Sequence, residues 1–201
     1  MKELSRKNAI NIHSVIPLSQ VNGPGSRMVV FFQGCGHNCS GCFNPATHPF
    51  HEVNRFTPKA LFERYLVKDG SGNDVEGITV SGGDPFFQPE PLRQLLSVAR
   101  ESYRLSTMVY TGFTLEEIKG DLKRSLSLPF IDILIDGRYD PTKRETTLLA
   151  RGSTNQRFHF LTERYDYDDI TLPAKVEIRI ARGGAVVETG FSQTVRGVYD
   201  Q

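Results

Sequence analysis

Residues Met28–Cys42 read MVVFFQGCGHNCSGC, and the opening run Met28-Val29-Val30-Phe31-Phe32 is continuous, β-branched and aromatic. Such a run predicts a strand buried on both faces, as in a parallel sheet covered by helices. A cysteine-bearing loop begins just beyond its C-terminal end. Upstream, Ile10–Ile16 reads as extended and Asn22-Gly23-Pro24-Gly25 as a turn. Downstream the pattern alternates. Thr57 and Pro58 are an N-cap and a first-position proline, and Leu61, Phe62, Tyr65 and Leu66 form one apolar helical face. Ile78-Thr79-Val80 is a compact strand that runs into Gly82-Gly83. Leu92, Leu95, Leu96, Ala99 and Tyr103 then recur at helical spacing behind Pro89 and Pro91, which a helix start tolerates. Thr107–Tyr110 is the next strand, and Thr114 with Glu117 makes a capping box ahead of Leu115, Ile118 and Leu122. Ile131–Ile135 and Arg157–Leu161 are the last strands of the series.

Strand–helix alternation over residues 28–136 predicts an α/β fold with a mainly parallel sheet joined by right-handed crossovers. Ligands of such sheets bind outside the strand C-termini. The cysteine loop, Gly82-Gly83-Asp84, Thr111-Gly112 and Asp136-Gly137 each follow a predicted strand, so all four are expected on one rim. Beyond Arg164 the character changes. Tyr165–Asp169 is an acidic, tyrosine-bearing turn, and Val176–Ile180, Gly183-Gly184 and Ala185–Thr189 read as a β-hairpin. The expected organisation is a core domain over residues 1–164 and a small hairpin extension over 165–201.

A chain of 201 residues with 38% hydrophobic side chains can bury one core. Its 24 Lys and Arg against 23 Asp and Glu leave a formal charge of +1, which offers no electrostatic footprint for nucleic acid or a membrane surface. Met1–Arg6 is polar with no apolar stretch behind it, and no apolar run approaches a membrane span. The expected location is the cytoplasm, where thiols stay reduced.

Cys35, Cys39 and Cys42 are the three cysteines of the chain, in the order C-x-x-x-C-x-x-C. A cubane cluster normally takes one thiolate on each of its four irons. Three thiolates on one loop reach three corners and leave the fourth iron open to a substrate or cofactor. A disulfide framework is disfavoured by the odd count. Zinc is the serious rival, since His37 or His48 would complete a Cys3His set, although structural zinc sites usually pair two ligand clusters. Uncoordinated core cysteines fit poorly with Gly34, Gly36, Asn38 and Gly41 around them. Gly82-Gly83 allows close backbone approach to a ligand, Asp84 adds an acceptor for an ammonium group, and Pro85 stiffens the exit. In isolation the glycine pair reads better as a tight strand-to-helix turn; its expected place opposite the cysteine loop on the same rim favours ligand contact.

The cysteine spacing after an apolar strand, followed by Ser81-Gly82-Gly83-Asp84-Pro85, resembles the radical S-adenosylmethionine superfamily. More narrowly, Asn22–Arg27, Gly34-Cys35, Cys39–Cys42, Tyr110–Thr114, Asp136–Asp140 and Arg151–Arg157 resemble the activating proteins of anaerobic ribonucleoside-triphosphate reductases, over about residues 10–160. The resemblance implies a partial (β/α) barrel in which Cys35, Cys39 and Cys42 ligate a [4Fe–4S] cluster whose open iron takes S-adenosylmethionine. Gly82, Gly83 and Asp84 would hold the methionine amino group. It further implies reductive cleavage, a glycyl radical on a large partner enzyme, and a one-electron donor such as flavodoxin or ferredoxin. Gly41 stands where the superfamily often has an aromatic residue, and Asp84 where Glu is common; the reductase-activating branch shares the glycine.

Asn44, Thr111 and Asp136 are further candidates to contact the cofactor, with Ser153, Asn155 and Gln156 behind them, and turn or capping roles explain these residues as well. His37 is a candidate donor behind the cluster, while His13, His48, His51 and His159 read as structural or exposed. The rival functions are a radical enzyme acting on a peptide or small molecule and, from another class, a non-catalytic metal-binding interaction module.

Overall fold

A computed structural model describes residues 9–66, 74–174, 176–180, 184 and 186–191. The elements are β1 (Ile10–Ser19), β2 (Arg27–Phe32), β3 (Asn54–Phe56), α1 (Pro58–Tyr65), β4 (Gly77–Gly82), α2 (Pro89–Glu101), β5 (Ser106–Tyr110), α3 (Leu115–Lys119), α4 (Leu122–Ser125), β6 (Ile133–Asp136), β7 (Arg157–Phe160), β8 (Val176–Ile180) and β9 (Val186–Gly190). Seven strands form one sheet in the order β3-β1-β2-β4-β5-β6-β7, and β8 pairs with β9 in a separate two-stranded sheet.

The four central strands, β2, β4, β5 and β6, are parallel, as the crossover pattern requires. The α/β expectation is met by this parallel centre, and both flanks of the sheet are antiparallel. The reason is connection length. Only seven residues separate Ser19 from Arg27, and parallel neighbours need a crossover of a dozen or more residues, so β1 folds back on β2. Three-residue β3 and the antiparallel pairing of β7 with β6 carried no periodic signal of their own.

Strand alternation divides the core between the two sheet faces. On one face Met28, Val30, Phe32, Ile78, Val80, Val109 and Leu134 pack against Leu61 and Phe62 of α1, Leu92, Leu95, Leu96 and Ala99 of α2, and Leu115 and Ile118 of α3. On the other, Met108, Ile133 and Ile135 meet Ala150, Phe158, Ile170 and Leu172. The Thr57 hydroxyl caps α1 at the Ala60 N–H, and the Thr114–Glu117 capping box is complete. Leu122 differs from expectation. The Asp121 carboxylate caps the Lys123 and Arg124 N–H groups and starts a new short helix, which turns Leu122 out to 80% exposure.

β8 and β9 pair antiparallel from Val176↔Gly190 to Ile180↔Val186, where the sequence predicts a hairpin. Gly183, placed in its turn by sequence, and Ala185, placed at the start of its second strand, lie outside the described residues, as does Met1–Arg6. Ile170 and Leu172 are buried beneath the sheet, so the chain stays attached to the core well past Arg164.

Candidate active site

The central strands end side by side at Phe32, Gly82, Tyr110 and Asp136. Outside these ends is a cavity lined by Cys35, Cys39 and Cys42 together with His37, Asn44, His48, Gly83, Asp84, Thr111 and Gly112. The loop after β2, the loop after β4 and the loop after β5 therefore share one rim.

The cysteine loop is shaped by two left-handed residues, Asn38 at φ 51° and Gly41 at φ 66°. Gly41 accounts for the missing aromatic residue ahead of the third cysteine, since a bulky side chain is strained at that φ. The loop is fastened to the sheet by the Gly34 N–H to Thr47 carbonyl and Cys35 N–H to His48 carbonyl hydrogen bonds, at 2.7 and 2.9 Å. All three thiols are free. Burial pushes the Cys35 thiol up to about 11, opposed by the His37 and Asn38 N–H groups, and burial raises Cys42 against the Asn44 N–H, which donates to its Sγ at 3.4 Å.

Gly82 and Gly83 satisfy a packing demand as well as any ligand's. A Cβ on Gly82, at φ 101°, would meet the Phe32 backbone at 2.5 Å, and one on Gly83 would meet the Gly34 carbonyl oxygen at 2.4 Å. The Gly83 and Asp84 N–H groups donate to the Phe32 and Gly34 carbonyls, which holds the β4 turn against the cysteine loop.

Asp84 is 1% exposed, and its oxygens are occupied by other parts of the rim. It accepts from the Phe86 N–H at 2.9 Å, the Thr111 hydroxyl at 2.9 Å and the Gly112 N–H at 2.7 Å, and His37 Nε2 stands 2.8 Å away. A carboxylate only accepts, so Nε2 carries the ring proton. The expected ammonium acceptor is thus the hub that ties three loops together. Thr111 belongs to the same network, since its hydroxyl also accepts from the Phe113 N–H. His37 lies edge-on to Phe87 and Phe113, with ring centroids 5.3 and 4.5 Å away.

Asp136, a candidate cofactor contact from sequence, is not among the lining residues, while its neighbour Gly137 is. The Asp136 side chain is fully buried and accepts from the Leu115 N–H and from Arg157, with His159 Nε2 at 3.0 Å. Burial pushes its carboxyl up, and these donors more than offset that, leaving it below the ordinary carboxylate value. Asn44 lines the cavity with Cys42 beside it. His48, read from sequence as structural or exposed, lines it too. Gln156 lines it while stapling two motifs: its Oε1 accepts from the Gly152 and Ser153 N–H groups and its Nε2 donates to the Gly137 carbonyl. Ser153 accepts from the Asp140 N–H, and Asn155 donates to the Arg138 carbonyl. The segments after β6 and before β7 are thus bound to each other.

The lining also includes Asn22, Phe43, Tyr139, the β9 residues Glu188–Gly190 and the following Phe191, none of which the sequence marks as a site residue. Phe43 was detectable as the neighbour of Cys42; the others arrive only through long-range packing.

Among the described residues, no three His, Cys, Asp or Glu side chains are gathered as the ligands of one metal ion. With its proton directed at Asp84, the Nε2 of His37 is not a lone-pair donor for zinc. Three free thiols around one cavity, with no fourth cysteine in the chain, fit a cubane that leaves one corner for another ligand.

A family model described as a 4Fe-4S single cluster domain matches residues 21–159. The anaerobic ribonucleoside-triphosphate reductase-activating protein of Pasteurella multocida (strain Pm70) is 35% identical over 160 residues, covering 77% of this chain and 99% of that one. The protein of the same name from Vibrio cholerae is 33% identical over 159 residues, covering 76% and 99%. That of Enterobacteria phage T4 is 34% identical over 154 residues, covering 74% and 92%. A solved structure of QueE from Escherichia coli aligns at TM-score 0.43 with 14% identity, over 57% of this chain and 58% of that one, too distant to argue from.

Proposed function

Because the chain belongs to the family of anaerobic ribonucleoside-triphosphate reductase-activating proteins, we propose that it is a radical S-adenosylmethionine enzyme that installs a glycyl radical on a partner anaerobic ribonucleotide reductase. The observation that carries this reading is the trio of free thiols on one loop, facing a cavity at the C-terminal ends of four parallel strands. On this reading the open seven-stranded sheet is the partial (β/α) barrel of that superfamily, with residues 1–164 as the catalytic core and 165–201 as an extension anchored under it by Ile170 and Leu172.

Cys35, Cys39 and Cys42 would hold three irons of a [4Fe–4S] cluster, and the Asn44 N–H would support the Cys42 sulfur. Held by these thiols, the cluster with S-adenosylmethionine at its open iron would supply the one-electron reductive chemistry that removes a hydrogen atom from the partner's glycine. Gly83, which lines the cavity, offers backbone to the amino group of the cofactor, and Asp84 acts by keeping that turn and Thr111-Gly112 in place. The aromatic side chains at the cavity help to exclude water. The electron would come from a flavodoxin or ferredoxin, and a labile cluster suits the cytoplasm. Among the described residues no helix is long and apolar enough to cross a membrane.

Anaerobic reconstitution should load about four irons per chain, the content of one cubane, and dithionite should then cleave S-adenosylmethionine. Stoichiometric zinc with no cleavage would contradict the proposal.

A further inference from the structure

β9 ends at the cavity. Glu188, Thr189, Gly190 and Phe191 all line it, although both strands of the pair lie beyond residue 159, where the family match stops. Both strands of the pair are tied to the connection between β1 and β2. The Asn22 side chain donates to the Thr189 hydroxyl at 2.9 Å and to the Ser19 hydroxyl at 2.8 Å, and the Gln20 N–H donates to the Glu177 carboxylate at 3.1 Å. Gly190, at φ 109°, permits the bend that ends the strand and turns the chain toward Phe191.

The Phe191 ring lies perpendicular to Phe43 at 6.2 Å and stands 6.3 Å from Tyr110, while Phe43 meets Tyr139 at 4.9 Å. Phe43 follows Cys42 directly in the chain, so this aromatic corner adjoins the cysteine loop. It joins residues from the cysteine loop, β5, the segment after β6 and β9, and β9 is the contributor the family match does not reach. Among the described lining residues there is no Lys or Arg. Such a surface disfavours an anionic small molecule such as a nucleotide. It suits an uncharged stretch of polypeptide, whose backbone amides and Cα–H groups pack on aromatic rings.

We propose that the end of β9 together with the residue after it, Thr189–Phe191, is a substrate-positioning wall that commits the cavity to an uncharged, extended peptide segment and holds its hydrogen-bearing carbon in place. The inference rests on the glycyl-radical reading above and names the surface that selects the substrate. Positioning of this kind is steep, since displacement by about 1 Å can cost on the order of a hundredfold in rate.

The test measures 5′-deoxyadenosine released per glycyl radical formed, with the reconstituted chain, dithionite and the purified reductase. Phe191→Ala should raise this ratio roughly tenfold, Phe191→Leu should restore part of the coupling, and Ile178→Thr, on the exposed outer face of β8, should leave it at the wild-type value. Iron content and far-UV circular dichroism, matched to wild type, separate loss of positioning from loss of fold. Thr189→Val, which removes the Asn22 anchor, should move the ratio in the same direction as Phe191→Ala. A wild-type ratio in Phe191→Ala and Thr189→Val, with the wild-type chain well coupled, overturns the wall. Cleavage by the wild-type chain that forms no glycyl radical overturns the activating function itself and this inference with it.

Discussion

At the scale of single residues, Asp84 is the group on which the rim depends. Its carboxylate receives the Phe86 and Gly112 N–H groups, the Thr111 hydroxyl and the His37 ring, which come from three loops far apart in sequence. Asp84→Ala strands these buried donors, each worth about 1–3 kcal/mol when unpaired. The variant should lose stability by that order or more in urea denaturation and should bind less iron on reconstitution. A loss under ~0.5 kcal/mol, the range of ordinary surface substitutions, would show that the hub is dispensable. The contrast with the cysteines explains what the sequence could reveal. Cys35, Cys39 and Cys42 are readable because their relation is local, eight residues on one loop. Asp84 reads locally as an open acceptor after Gly-Gly, whereas its donors at His37, Thr111 and Gly112 are supplied by tertiary structure. Thr111 is reinterpreted for the same reason, and Asp136 is lost as a cavity contact because Arg157 and the Leu115 N–H claim it.

At the scale of elements, Asp136 joins three of them, the end of β6, the start of β7 through Arg157 and the first turn of α3 through Leu115. Its folded-state pKa lies below the ordinary carboxylate value. A depressed carboxylate contributes stability that is fully present above the unfolded value of about 3.9 and is lost as pH falls through the folded value. Wild type should therefore lose stability between about pH 5 and pH 2 more steeply than Asp136→Asn, which has no such proton to take up. Urea midpoints across that range make the comparison, and parallel curves for the two proteins would refute the linkage. Elements with strong periodicity were legible: the apolar stripe of α2 and the cap of α1 appear where the sequence puts them. The antiparallel β1 and the break at Asp121 were not. The first depends on the length of a connection, and the second on a carboxylate that competes locally for N–H groups and ends one helix by starting another.

At the scale of the whole molecule, successive parallel strands deliver the cysteine loop, the Gly82-Gly83-Asp84 turn and Thr111-Gly112 to one cavity, the convergence that alternation over residues 28–136 predicts. The β8–β9 pair was readable as strands, but its arrival at the cavity was not, because the Asn22–Thr189 hydrogen bond spans 167 positions. On the proposed function these thiols serve radical transfer to a protein glycine. Electron paramagnetic resonance of the reconstituted chain, incubated without oxygen with S-adenosylmethionine, a one-electron donor and the anaerobic reductase encoded beside it or in the same genome, tests it most directly. A glycyl doublet is expected that is absent when Cys39 is replaced by Ala; no doublet from a fully iron-loaded wild-type chain that cleaves S-adenosylmethionine would refute the activating function.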